Sequence, residues 1–447
     1  MSHLPPAHLA ADLAARGVSD VECLFPDIAG HPRGKLMPAA AFAGGAELRI
    51  AQAIPMQCVT GDYSYDPIFP DQDPDVALVP DYATLRPVPW ASAPRALAIH
   101  DCFELTGEPC RFAARTILRD VLARYERVGL RPVVAPEIEF YLTALNVDPA
   151  QPLKAPAMRG GRTEVGQSAF SMDALNEHAP FWDELRATLL ALGVRADTWI
   201  HEVGLTQFEI NLVHGDALEV ADQAFLFKMA AKETALKHGM HAVFMAKPIA
   251  GQAGSSMHLH QSLVDADGRN VFTGPDGGES GLFGQYIAGL QANLPSLMLL
   301  FAPYVNSYRR FIKGSQAPVN FHWGHDNRTA GLRIPRSGPA ARRVENRVAG
   351  ADANPYLVIA ATLAAGLDGI ERALPPTDPM ADSAYESAHA LPRTLPDAMD
   401  AFVRGDAALR LFGERFVRGY AAVKAVEYDS WLSEIGAWER RFLVPHA

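Results

Sequence analysis

The stretch VVAPEIEFYL, from Val133 to Leu142, decides how the rest of the chain is interpreted. Side chains alternate between the two faces of a strand, so Glu137 and Glu139 lie on one face and Ile138 and Phe140 on the other. Two carboxylates about 7 Å apart on one face repel each other unless a cation or water separates them. The strand therefore either exposes solvated acids or supplies metal ligands, and later segments favour the metal.

The composition is that of an ordinary soluble protein, large enough for two domains. Of its 447 residues, 49% are hydrophobic and 20% are charged, which is typical of a globular chain with a sizeable core. The net charge of -11 argues against nucleic acid or an anionic membrane as the main partner. The four cysteines form no CxxC pair, so we expect reduced thiols in a cytosolic protein.

No segment of the sequence reads as a targeting signal or a membrane span. The first residues, MSHLPPAHLAADLAARG, lack the basic start and apolar core of a secretory signal, so we expect a cytoplasmic location. The longest apolar run, from Tyr356 to Leu367, is too short to cross a bilayer and predicts a buried helix.

Two regions of different character follow one another along the chain. Residues 21–106 contain strand-like segments and a loop-rich stretch, which predicts a small, mainly β domain ending at about residue 106. Beyond it, helices and strands alternate, but several strands have one polar face. That pattern favours an antiparallel sheet backed by helices over a doubly wound parallel sheet. Residues 148–170 form a loop long enough to suggest a function.

Two further segments carry acidic or histidine side chains at strand spacing. In IHEVGLTQFEINL, Glu202 and Glu209 flank a turn, and in AGSSMHLHQSL, His258 and His260 share one face. A polar sheet face or a structural histidine would account for each segment alone. Together with the first strand and Glu345, the segments supply five carboxylates and one histidine, His258, as ligands for two hard divalent cations.

Arginines cluster towards the end of the second region. The segments NSYRRFIKGSQAPVNFHWGHDNRTAGLRIP and ARRVENRVAGADANPY contain them. The basic residues are Arg309, Arg310, Lys313, Arg328, Arg333, Arg342, Arg343 and Arg347. Guanidinium groups suit carboxylate and phosphate oxygens, so carboxylates, a metal and arginines together indicate phosphoryl transfer. The sequence has neither a GxxxxGK[ST] loop nor a strong GxGxxG motif, so the metals and arginines would have to hold any nucleotide.

The order of these motifs resembles the glutamine synthetase family of the bacterial type I class over nearly the whole chain. The matching motifs are PEIEFYL, HEVGLTQFEI, KPIAGQAGSSMHLHQSL, DNRTAGLRIP and RRVENRVAGADANPYL. The resemblance implies an α+β fold, with an N-terminal β-grasp domain over residues 1–106 and a catalytic domain over residues 107–447. It also implies a homododecamer of two stacked rings, with each active site at a subunit interface.

The resemblance assigns a role to each matching residue. The ligands of one metal are Glu139, Glu202 and Glu209, and those of the other are Glu137, His258 and Glu345. His260 and Ser262 match nucleotide contacts, while Arg328, Arg333 and Arg343 match the arginines that hold the phosphates and the phosphorylated intermediate. Arg310, Arg347 and Gly254 match the pocket for the substrate carboxylate. The cofactors implied are ATP, as a substrate, and two or three Mg²⁺ or Mn²⁺ ions, between which the ligands do not discriminate.

The departures from the family pattern concern the nitrogen substrate. Gln316 stands where the family has a flap glutamate that deprotonates the incoming nitrogen, and an amide takes up no proton. Ala253 replaces an asparagine that contacts glutamate, and Asp62 only loosely matches the aspartate that completes the ammonium pocket from a neighbouring subunit. Arg372 stands at about the place of the regulatory tyrosine.

These departures predict a ligase that joins the γ-carboxylate of glutamate to an organic amine, such as a polyamine, ethanolamine or an alkylamine. The pattern resembles the γ-glutamylpolyamine and γ-glutamylethanolamide synthetases. Trp323 and His322 either line a larger amine pocket or pack beside a loop. The alternatives are ammonia-dependent glutamine synthesis and a catalytically weak paralogue that binds ATP or glutamate. A third, a solvated acidic sheet without metal, predicts that a chelator leaves stability unchanged.

Overall fold

The computed structural model describes residues 5–166, 168–386 and 391–446 and contains two β-sheets. The first region runs through α1 (Leu9–Ala15), β1 (Asp20–Pro26), β2 (Pro32–Pro38), α2 (Ala39–Ala43), β3 (Leu48–Ala51), β4 (Asp75–Pro80), β5 (Arg86–Pro87) and β6 (Arg95–Glu104). Its sheet has the order β2-β1-β6-β4-β3, with β5 also on β6. Only β1 and β6 pair in parallel within this sheet. The mainly β character predicted for this region is confirmed.

The second region contains the larger sheet, with nine strands in the described chain. Its strands are β7 (Arg131–Ala144), β8 (Ala196–His201), β9 (Gln207–Leu212), β10 (Gly215–Asp216), β11 (Met240–Val243), β12 (Met257–Val264), β13 (Trp323–His325), β14 (Leu332–Ile334) and β15 (Val344–Asn346). The order is β13-β14-β15-β12-β7-β9-β8, and β10 and β11 also pair with β7. Every pairing except that of β13 with β14 is antiparallel. The predicted antiparallel sheet is confirmed.

The helices of the second region pack on the apolar side of this sheet and on one another to form the core, except that α4 and α12 have no buried residue. They are α3 (Ala114–Arg127), α4 (Met172–Asn176), α5 (Ala179–Leu192), α6 (Ala217–Lys237), α7 (Gly281–Phe301), α8 (Pro355–Glu371), α9 (Leu395–Arg404), α10 (Asp406–Phe412), α11 (Glu414–Leu432) and α12 (Ala437–Phe442). The apolar run predicted to be a buried helix lies within α8, which is buried from Pro355 to Gly369. Within the described ranges, no helix is long and apolar enough to cross a membrane.

Two predicted elements differ in their bounds. The sequence predicts a helix over about residues 223–238. It begins earlier, at Ala217, because the carboxylate of Asp216 accepts hydrogen bonds from the backbone N–H groups of Leu218 and Glu219 and caps the helix. The segment HAVFMAKP, residues 241–248, predicts a strand, but the strand there ends at Val243. Further on, the side chain of Asn306 bonds both backbone groups of Lys247, so these groups are not available to a neighbouring strand.

The connection between the two sheets runs from Glu104 to α3, and the predicted boundary at residue 106 falls within it. Arg115 of α3 bridges the regions, since its buried guanidinium pairs with Asp81 and Asp101 of the first region and Asp222 of α6. The boundary itself stays a prediction.

Candidate active site

Strand register brings five of the six predicted metal ligands into one row on a single face of the large sheet, and the sixth, Glu202, lies in the turn between β8 and β9. Residues directly opposite each other in neighbouring strands share a face. The opposed pairs are Glu139 with Glu209, Glu137 with His258, His260 with Glu345, and Glu345 with Arg333. Segments more than 200 residues apart in sequence, such as those of Glu137 and Glu345, therefore meet side by side.

Three crowded carboxylates form one half of the row. Burial and the neighbouring Glu202 raise the pKa of Glu139 to about 7, while burial and Glu139 raise that of Glu209 to about 10. Burial also raises the pKa of Glu202. Among the described hydrogen bonds of these three carboxylates, Glu139 has the most donors. Its Oε2 accepts from the Ser256 N–H at 2.7 Å and from the Gln207 amide at 3.3 Å. Excess negative charge of this kind fits a hard divalent cation.

The other half of the row combines carboxylates with histidines. His260 Nε2 lies 2.9 Å from Glu137 Oε1, and His258 Nδ1 lies 3.5 Å from Glu137 Oε2. Burial opposes ionisation of Glu137, but hydrogen bonds from both histidines outweigh it and lower its pKa. Burial and the charge of Arg347 lower the pKa of His258 to about 4, so its imidazole is neutral at pH 7 and able to bind a metal.

The ligand atoms fall into two overlapping sets. In the described chain, Glu137, Glu209 and His258 offer atoms within 4.8 Å of one another, and so do Glu137, His260 and Glu345. Neither triad implied by the family resemblance is one of these sets. Glu139 and Glu202 belong to neither set, and two arginines pair with Glu345. The residues thus come together as predicted, while their division between two ions stays a prediction.

The arginines converge on the histidine half of the row. Arg333 Nη1 donates to Glu345 Oε2 at 2.7 Å, and Arg347 Nη1 donates to Glu345 Oε1 at 2.5 Å. Burial alone would raise the pKa of Glu345, but Arg347 and the nearby histidines lower it to about 2. Among the residues that the structure describes, the buried Nε atoms of Arg333 and Arg347 have no hydrogen-bond partner. These unpaired donors would suit an anionic ligand.

Three of the remaining predicted nucleotide and phosphate contacts, but not Arg328, border a cavity of about 510 Å³ beside β7 and β12. Its lining includes Glu137, His260, Ser262 and Arg343. Arg343 Nε donates to His260 Nδ1 at 3.1 Å, which leaves the proton of this imidazole on Nε2, facing Glu137. Arg328 is exposed, and its charge partly offsets the rise in the pKa of Glu202.

The predicted carboxylate pocket is tightly packed. The buried Arg310 donates from Nη1 to the Val348 carbonyl and from Nη2 to the Arg347 carbonyl, both at 2.8 Å. Burial lowers the pKa of Arg310 to about 10. Gly254 lies against this side chain. Because both terminal nitrogens of Arg310 already bind backbone, its direct contact with a substrate carboxylate stays a prediction.

The residues expected to determine the nitrogen substrate lie in separate parts of the structure. Gln316 is exposed with a positive φ of 61°, and its carbonyl accepts from Arg347 Nη2 at 3.3 Å. Asp62 hydrogen-bonds within its own loop, to Thr60 and to the backbone N–H of Cys58. Trp323 is buried and donates from its indole to the Thr377 carbonyl at 2.8 Å, which favours the packed-aromatic interpretation for this residue.

Sequence reasoning missed one residue that touches the row, Asn211, and one that supports the turn carrying Glu202, Glu164. Asn211 donates to Glu137 Oε1 at 3.4 Å, and its position two residues after Glu209 on the same strand could have revealed it. Glu164, in the long loop, contacts His201 and Thr206 around the turn that carries Glu202. Nothing in the local sequence pattern around Glu164 indicates this contact.

Comparison with known proteins agrees with this arrangement. The family described as glutamine synthetase, catalytic domain, matches residues 111–443. A glutamate–isopropylamine ligase of Pseudomonas sp. is 39% identical over 373 residues, covering 82% of this chain and 80% of that protein. The γ-glutamylputrescine synthetase PuuA of Escherichia coli K12 is 38% identical over 358 residues, covering 79% and 75%. A solved GmaS–ADP complex superposes with a TM-score of 0.84 at 30% identity, covering 98% and 99%. The chain therefore belongs to the glutamine synthetase family.

Proposed function

We propose that the protein is an ATP-dependent ligase that joins the γ-carboxylate of glutamate to an organic amine. The observation that carries this proposal is the single row of buried carboxylates and histidines, with arginines converging on one end of it. The relatives named as ligases of isopropylamine and putrescine support an organic amine as the nitrogen substrate.

The row would hold the divalent cations through Glu137, Glu139, Glu202, Glu209, His258 and Glu345. Mg²⁺ or Mn²⁺ bound there would neutralise phosphate charge and help to orient the nucleotide. The side chains at the row would position ATP in the adjoining cavity, with His260 and Ser262 beside it. Arg328, Arg333 and Arg343 would bind the phosphate oxygens through guanidinium donors.

The chemistry would proceed in two displacements. A γ-carboxylate oxygen of glutamate attacks the γ-phosphorus of ATP, and the bond to the bridging oxygen of ADP breaks. The amine nitrogen, as the free base, then attacks the acyl carbon of the γ-glutamyl phosphate, inorganic phosphate leaves, and the proton lost from nitrogen passes to the departing phosphate or to solvent. Arginine donors beside the transferring group stabilise its developing charge. Arg310 and Arg347, next to Gly254, would hold the α-carboxylate or order the backbone around it.

The flap would select the nitrogen substrate. A family glutamate at position 316 would attract ammonium and accept its proton, whereas Gln316 does neither. We further infer a cytoplasmic homododecamer in which Asp62 reaches the active site of a neighbouring subunit. Exposed apolar side chains in and beside the last helix, Ile435, Trp438 and Val444, support self-association. Neither nucleic acid nor a membrane is proposed as a partner.

The test is phosphate release from ATP with Mg²⁺ and glutamate across a panel of ammonium, alkylamines, ethanolamine, putrescine and spermidine. We expect stimulation by an organic amine well above that by ammonium, and none in the control Glu137→Gln. A stronger response to ammonium would make the protein a glutamine synthetase. ATP binding without turnover for any nitrogen source would favour the catalytically weak paralogue.

A further inference from the structure

The turn between β8 and β9, residues 202–206, depends on support from outside itself. Glu202 begins it, and Gln207, which donates to Glu139, directly follows it. Thr206 closes the turn with a φ of +54°, a left-handed conformation that strains a β-branched residue. Such a conformation persists only where surrounding contacts impose it, so the position of Glu202 depends on those contacts.

Glu164 supplies the contacts at both ends of this turn. Its Oε2 accepts the Thr206 N–H at 2.7 Å, and its Oε1 and Oε2 lie 3.1 and 3.2 Å from His201 Nε2. His201 immediately precedes Glu202. One carboxylate thus holds the residue before Glu202 and the residue that closes the turn.

The Glu164–His201 pair is buried and packed against neighbouring side chains. Glu164 and His201 are 9% and 2% exposed, and the His201 ring packs edge-on against Phe208 at 5.1 Å between centroids. The loop of residues 148–170 brings Glu164 to this position and is anchored again where the Phe170 N–H donates to the His201 carbonyl at 2.8 Å. A loop that is otherwise largely exposed therefore ends against the strand that leads to Glu202.

Glu202 has little direct support of its own. The hydrogen bond described for its carboxylate is with the neighbouring Val203 N–H, at 3.3 Å. Its direction therefore follows the backbone of the turn. We infer that Glu164 is a positioning residue: by holding His201 and Thr206 it aims Glu202 at the divalent cation and sets the affinity of the site. This inference rests on the metal-dependent function proposed above.

The test measures metal binding without turnover. The thermal midpoint of the full-length protein, followed against MgCl₂ concentration, gives an apparent Kd for Mg²⁺. Removing a residue that orients a metal ligand weakens binding about 10- to 100-fold, and we expect a loss in that range for Glu164→Ala. Glu164→Gln should remain close to the unaltered protein, because its amide oxygen still accepts from Thr206 and His201 is free to change tautomer.

A control variant that contacts the same loop separates an effect on metal-ligand position from an effect on overall stability. Glu177 pairs with Arg159 of the loop at 3.6 Å, so Glu177→Ala perturbs the loop and should leave the Kd for Mg²⁺ unchanged.

If Glu164→Ala lowers the thermal midpoint but keeps the original Kd, its role is merely structural and the inference is overturned. If Glu164→Ala does not fold, Glu164→Asp, whose carboxylate is withdrawn by one methylene, replaces it with the same two outcomes. An unaltered protein that gains no stability from Mg²⁺ would instead overturn the metal centre itself.

Discussion

At the scale of single residues, Gly254 leaves no room for a side chain beside Arg310. A Cβ added there would lie 2.7 Å from Arg310 Cγ and 2.9 Å from the Ala246 carbonyl oxygen. Because the backbone cannot move away cheaply, Gly254→Ala should cost about 1–3 kcal/mol of unfolding free energy and raise the KM for glutamate. Urea denaturation and steady-state kinetics measure the two effects. Gly160→Ala, with open space around it and a permitted φ, is the control; equal behaviour of the two variants would contradict the packing argument.

A second change at residue scale concerns the flap. Gln316→Glu restores a group that binds a cation and accepts a proton. We expect ammonium-stimulated phosphate release to rise relative to that with organic amines, measured as the ratio of the two kcat/KM values. No gain in ammonium use would show that Gln316 does not determine the nitrogen substrate.

At the scale of elements, the carboxylates on β7 and β9 make the stability of the metal-free protein depend on pH. Burial and Glu139 raise the pKa of Glu209 from its ordinary 4.5 to about 10, so between these values the folded state binds more protons than the unfolded chain. The free energy of unfolding therefore falls as pH rises through this window. Glu209→Gln should remove up to about 1.4 kcal/mol per pH unit of that fall.

The measurement is urea denaturation between pH 5 and about 9 in the presence of a chelator. The exposed Glu47→Gln serves as the control and should leave the slope unchanged. Saturating Mg²⁺, which requires ionised carboxylates, should reduce or reverse the fall. Identical slopes for Glu209→Gln and the unaltered protein would contradict the burial of an uncompensated charge at this strand pair.

Some features of the strands and helices could be predicted from the sequence, and others could not. The alternation around Glu137 and Glu139 predicted a strand with one functional face, and β7 is that strand. The early start of α6 escaped prediction because its cap, Asp216, precedes the helical apolar pattern. The grouping of ligands could not be read from motifs, since cross-strand register puts Glu209 near His258. Glu164 was missed because its contacts arise from the tertiary path of a loop.

In the whole molecule, Arg115 connects the two regions through ion pairs. Its buried guanidinium pairs with Asp81, Asp101 and Asp222. Removing it takes the guanidinium partner from the buried carboxylate of Asp222, whereas Arg119 still pairs with Asp81 and Asp101, so Arg115→Ala should cost about 3–5 kcal/mol of unfolding free energy. Chemical denaturation measures the loss. The exposed pair of Arg16 with Asp12 offers the control, Arg16→Ala, with an expected cost below about 1 kcal/mol. Comparable small losses would mean that the regions do not depend on this ion cluster.

The most direct test of the central claim is a mass spectrum of the products formed from glutamate labelled with ¹⁸O in its γ-carboxylate. The reaction contains ATP, Mg²⁺ and an equimolar mixture of ammonium, isopropylamine, ethanolamine and putrescine. We expect a γ-glutamyl derivative of an organic amine as the main product and one ¹⁸O atom in each released phosphate, because the acyl phosphate passes a carboxylate oxygen to phosphorus. Glutamine as the main product, or phosphate without the label, would contradict it.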